Sequence, residues 1–109
     1  MFARACIGCW LAAASLAAAA EGWVVPQVLW ERPRTAAAVM TEPAVRQALS
    51  AYLAQPGSQL VIHHGIGQNP LLDAEELRAW LMALAVDAGR VRLLNDLKPG
   101  EPIMLEVTR

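Results

Sequence analysis

The chain has 109 residues, 56% of them hydrophobic and 17% charged, with a formal net charge of -1. That length suits one domain. Near-neutrality argues against a nucleic-acid binder, which carries a clustered basic excess, and many apolar residues at low net charge argue against disorder.

Residues 1–20 begin Met-Phe-Ala-Arg and continue as an apolar run from Ala5 to Ala20, interrupted by Gly8 and Ser15. A basic start, an apolar stretch and small residues before a polar one describe a secretory signal peptide. Ala18 and Ala20 satisfy the small-x-small rule for cleavage before Glu21. The competing reading is an uncleaved anchor, but an Ala-rich run this short is a poor match to about 30 Å of hydrocarbon. Both cysteines, Cys6 and Cys9, fall in this segment. Their spacing imitates a redox pair, but such a pair needs a folded βαβ setting. A lipoprotein signal would place its apolar stretch before the cysteine. The expectation is therefore a signal peptide over 1–20 and one domain over 21–109, with no disulfide, periplasmic or secreted, and with no membrane span left after cleavage.

Residues 23–30 are rich in β-branched and aromatic types and predict a strand. Pro26 cannot donate to a ladder, so the strand centre is expected over 27–31. Arg32-Pro33-Arg34 reads as a solvated exit. A helix follows from Thr41, which offers an N-cap, with Pro43 in its first turn. Val45, Ala48, Leu49, Tyr52 and Leu53 make one apolar stripe, and Gln55-Pro56-Gly57 stops it. Leu60-Val61-Ile62 within 58–64 suits a central strand buried on both faces. Residues 65–70 form a glycine-containing loop.

A second helix is predicted over 73–88. Asp73 and Glu76 match a capping box, Leu77, Trp80, Leu81, Leu84, Ala85 and Ala88 form the buried stripe, and Gly89 stands at the C-cap. Strands at 90–94 and 103–107, joined by a turn-rich stretch, complete a β-α-β-α-β-β order. Two amphipathic helices on one face of a four-stranded sheet give an α+β, two-layer sandwich, with a right-handed crossover into the central strand.

Over residues 28–107 this order resembles the OmpA-like domain of bacterial envelope proteins. Leu60-Val61-Ile62-His63-His64-Gly65 is similar to that family's second strand, which runs into Gly-His-Thr-Asp. Residues 73–84 resemble its Arg-Ala helix, with Arg78-Ala79 on the pair, and residues 86–91 resemble the passage into its third strand. The resemblance implies peptidoglycan binding, in which an aspartate after the second strand and the arginine of the pair hold the ammonium and carboxylate of a diaminopimelate side chain. At the aspartate position this sequence has Ile66 or Gly67, and Asn69 is the candidate for the family's asparagine. The ligand-binding candidates are Arg78, His64, Gln68 and Asn69.

Competing chemistry is thin. His63 and His64 point to opposite faces of a strand, and the chain has 2 histidines where zinc needs three or four ligands. Ser50 and Ser58 sit in no nucleophile elbow, and Glu75 and Glu76 diverge by about 100° on a helix. Gly65-x-Gly67 lacks the third glycine of a phosphate-binding loop. Arg78 has a simpler role available, an i,i+3 ion pair with Glu75. Trp80 belongs to the core stripe, whereas Trp23 and Trp30 are candidates for an exposed interface. The expected function is a non-catalytic binding module, with no cofactor or metal, whose partner is peptidoglycan or another envelope protein. The alternative is a protein-interaction subunit that keeps the fold without the peptidoglycan site.

Overall fold

The computed structural model describes residues 21–109; the expected signal peptide and both cysteines lie outside the described residues. Leu60, Val61 and Ile62 are buried in strand β2 (Gln59–Gly65), the centre of a four-stranded sheet. β2 pairs antiparallel with β4 (Met104–Thr108) and parallel with β3 (Val91–Leu97). β1 (Glu21–Val24) pairs antiparallel with β4, giving the order β1-β4-β2-β3. The helices are α1 (Ala36–Thr41), α2 (Pro43–Ala54) and α3 (Gln68–Ala83).

The architecture is the expected two-layer α+β sandwich. Ala44, Val45, Ala48 and Leu49 of α2 and Ala74, Leu77 and Leu81 of α3 pack on Leu60, Ile62, Val91, Leu105 and Val107 of the sheet. Burying one Leu, Ile or Val fully stabilises the fold by about 1.5–3 kcal/mol, so this single layer supplies most of the cohesion. Strand alternation sends Val61, His63, Arg92, Leu94, Met104 and Glu106 to the other face, which no described helix covers.

Four local expectations are corrected. The strand predicted at 23–30 ends at Val24, and its expected centre is a 3-10 helix, Gln27–Glu31. Pro26 has no N–H to continue the ladder, and its carbonyl accepts from Leu29 at 3.1 Å. The helix predicted from Thr41 starts at Pro43, because Thr41 is the last residue of a preceding helix, α1, that the sequence did not suggest. Thr35 caps α1, while Thr41 closes it by donating to the Ala37 carbonyl at 2.8 Å. Glu42 caps α2 by accepting from the Ala44 N–H at 2.9 Å, with Pro43 at the first helical position. Leu53, assigned to the buried stripe, is 68% exposed in the last turn.

The second predicted helix is displaced by a full turn and more. α3 starts at Gln68 rather than Asp73, so Asp73 and Glu76 lie inside it and form no capping box. It ends at Ala83, leaving Ala85 and Ala88 outside and exposed and Gly89 in a short 3-10 helix, Ala88–Arg90. The left-handed C-terminal residue is Ala85, at φ 95°. The Val86 N–H bonds to the Leu81 carbonyl at 3.0 Å and the Ala85 N–H to that of Met82 at 3.3 Å. These two bonds define a Schellman motif.

Candidate functional site

β2 delivers the chain to one end of the sheet at Gly65, and α3 begins three residues later. Gly67 makes the connection at φ 127° and ψ 164°, a region essentially closed to other residues. This abrupt turn decides where the sequence candidates lie. Gln68 and Asn69 occupy the first turn of α3, both exposed. Arg78 lies on the same helix, about 13 Å further along its axis than Asn69. At 100° per residue the two are on opposite faces.

Arg78 is half-buried and makes no ion pair among the described residues, with Glu75 or any other. Asn69 lines a recess of about 80 Å³ with Gln27, Pro70, Asp73, Glu101 and Ile103. That volume holds a few waters rather than an amino-acid side chain. Asp73 has its carboxyl pushed upward by burial and by neighbouring Glu76, with Arg34 pulling the other way.

His64, the better histidine candidate from sequence, is on the helix side of the sheet and 5% exposed. Its ring Nδ1–H donates to the Gly65 carbonyl at 2.9 Å, a bond that fixes the tautomer because a carbonyl only accepts. It serves the strand end. Ser58 is likewise buried and donates its hydroxyl to the Tyr52 carbonyl. The four candidates are therefore distributed over a helix start, the opposite face of that helix and the core.

The charged cluster that sequence reasoning missed is on the helix-free face. His63 Nδ1 lies 2.8 Å from Asp96 Oδ1, and its Nε2 lies 2.9 Å from Glu106 Oε1. Ionised carboxylates only accept, so both contacts are hydrogen bonds when each ring nitrogen carries a proton, and the arrangement favours the imidazolium form. Burial opposes that charge, yet the hydrogen bonds to Glu106 and Asp96 outweigh it and hold the His63 pKa above its ordinary 6.5. The carboxylates approach opposite ring nitrogens, so the three groups tie β3, β2 and β4 together rather than converge on a metal. Asp96 reaches His63 because the pairing slips: His63 matches Leu94, whereas Gly65 matches Leu97.

A second bridge replaces the solvated exit expected at Arg34. Its guanidinium grips Glu76 through Nε at 2.6 Å and Nη2 at 3.0 Å, and donates to the Trp30 and Arg32 carbonyls. Glu76 also accepts from Trp80 Nε1 at 3.2 Å. The Arg34 hydrogen bond holds the Glu76 carboxyl below the ordinary range, against its partial burial. Trp23, Trp30 and Trp80 all pack against the core.

Around the β2–α3 turn three apolar side chains are exposed beside Gln68 and Asn69. Ile66 is 73% exposed, Leu72 55% and Leu71 42%. No described helix is long and apolar enough to cross a membrane. The chain matches no protein-family model, no curated protein and no solved structure.

Proposed function

We propose that this chain is a non-catalytic binding module of the bacterial cell envelope, periplasmic or secreted, that recognises a protein through the apolar end of the molecule at Ile66, Leu71 and Leu72. The observation that carries this reading is the exposure of Ile66, which with Gly67 falls where the OmpA-like resemblance implies an aspartate. An exposed cluster of apolar side chains rewards burial against another apolar surface, and offers nothing to an ammonium group. The separation of Asn69 from Arg78 supports the same reading, because the asparagine and the arginine that the resemblance implies lie on opposite faces of α3. The apolar run over 1–20 supports the location.

The test has two arms. In the first, the purified chain is sedimented with peptidoglycan sacculi beside its Arg78→Ala variant, and both are expected in the supernatant. In the second, a photo-crosslinking residue at position 66, expressed in the native envelope, is expected to yield a discrete protein adduct that the same residue at exposed Gln47 does not. Pelleting of the wild type, abolished by Arg78→Ala, would instead establish the peptidoglycan reading.

A further inference from the structure

The order β1-β4-β2-β3 leaves two sheet edges, and they differ. β1 has four residues and is followed after Val25 by Pro26, which blunts it as a template. β3 has seven residues, Val91-Arg92-Leu93-Leu94-Asn95-Asp96-Leu97, and no proline. The elements packed against it are β2 and α3, so its outer row of backbone groups is unpaired within the described residues.

This strand is charge-complementary to itself. In an antiparallel pair related by a two-fold axis through Leu94, Arg92 of each copy lies opposite Asp96 of the other. Leu93 then faces Asn95 and Leu94 meets Leu94, and the slip in pairing before Leu97 ends the regular ladder at Asp96. Directly opposed residues of an antiparallel pair project to the same face. Arg92 and Leu94 belong to the helix-free face by alternation, and Asp96 reaches that face to bond His63.

The charges within one chain are unbalanced there in the required sense. A single imidazolium at His63 sits between two carboxylates, Asp96 and Glu106, while exposed Arg92 makes no ion pair among the described residues. A carboxylate has about four acceptor positions, so Asp96 can keep His63 and still accept a guanidinium. Sliding the pair by two residues, the smallest shift that keeps the faces aligned, loses this match. In one direction it sets Arg92 against Lys98, and in the other it sets Asp96 against Arg90, whose guanidinium already donates to the Ser58 carbonyl.

We infer that β3 is a homodimer interface, in which two copies join edge to edge about Leu94 into one eight-stranded sheet closed by two Arg92–Asp96 pairs. An isologous two-fold contact of this kind closes on itself and leaves no free β3 edge to propagate. The formal net charge of -1 presents little self-repulsion to oppose it. The interface is separate from the Ile66 end and stands whether or not that end binds a protein.

Sedimentation equilibrium on the full chain, from about 1 μM to about 1 mM, tests it. The wild type is expected as a reversible dimer that added salt weakens. Arg92→Glu and Asp96→Lys each place like charges opposite one another, and each should raise the dissociation constant by about tenfold or more. Mixed in equal amounts the two variants should dimerise with each other. The introduced glutamate of one then faces the introduced lysine of the other, and the unaltered Asp96 of the first faces the unaltered Arg92 of the second. A wild type monomeric throughout, or an Arg92→Glu variant as dimeric as the wild type, would overturn the interface. If Asp96→Lys unfolds through loss of its bond to His63, Arg92→Lys decides the matter. It is remote from that bond and should dimerise where Arg92→Glu does not; equal behaviour of the two refutes the pairing.

Discussion

Two backbone positions in and around α3 run in opposite senses, and each fixes an end of the helix. Ala85 carries a Cβ at φ 95°, where an L-residue costs about 1–2 kcal/mol relative to its usual conformations. It holds because Val86 and Leu81, whose backbones are bonded at 3.0 Å, are both buried in the core. Ala85→Gly keeps those bonds and relieves the strain, less the extra entropy that glycine loses on folding. Urea unfolding of this variant is expected to give a stability gain of about 0.5–1 kcal/mol. Gly67 is the converse case. A Cβ there would lie 3.6 Å from Pro70 Cδ, an ordinary contact, so the obstacle is the backbone conformation alone. Gly67→Ala is expected to cost about 1–3 kcal/mol. A neutral result would mean that the turn into α3 relaxes readily.

Between β1 and α2 the chain crosses the molecule as a 3-10 helix and α1, and Arg34 is its side-chain tie to α3. Replacing Glu76 with Ala removes both the forked Arg34 contact and the acceptor for Trp80. Because the bridge is partly solvated, the expected effect is local. Amide exchange over residues 27–42 should accelerate, while β2 and β4 keep their protection; uniform acceleration would mean that the bridge holds the whole fold. This tie also marks where sequence reading stops. Leu60-Val61-Ile62 and the Val45, Ala48 and Leu49 stripe were legible because their burial follows a local period. The valines and tryptophans of 23–30 suggested a strand, but Pro26 interrupts the ladder. Asp73-x-x-Glu76 has the spacing of a capping box wherever it falls in a helix, and the true start, Gly67, offers no side-chain cap. Arg34–Glu76, His63–Asp96 and His63–Glu106 join residues 42, 33 and 43 positions apart. No local period records such pairs. For the candidate site, the loop was legible from Gly65 and Gly67, whereas the failure of Asn69 and Arg78 to converge depended on where α3 begins.

The two charge bridges act on different layers of the molecule, one stitching three strands and the other tying the crossing segment to a helix, and they titrate in opposite directions. His63 has a folded pKa above its ordinary 6.5. The stability this confers is fully present below pH 6.5 and is lost as pH rises through the folded value. Glu76 has a folded pKa below its ordinary 4.5. Its contribution is present above pH 4.5 and is lost as pH falls through the folded value. Thermal stability is therefore expected to be highest between these limits, with one falling limb on each side. The two limbs should separate by mutation. His63→Gln keeps a polar side chain but cannot carry the charge, so it should flatten the alkaline limb and leave the acid limb in place. Glu76→Gln should flatten the acid limb alone. Melting temperatures from about pH 3 to about pH 10 for the three proteins would decide it, and an alkaline limb unchanged in His63→Gln would remove the strand bridge from the account of stability.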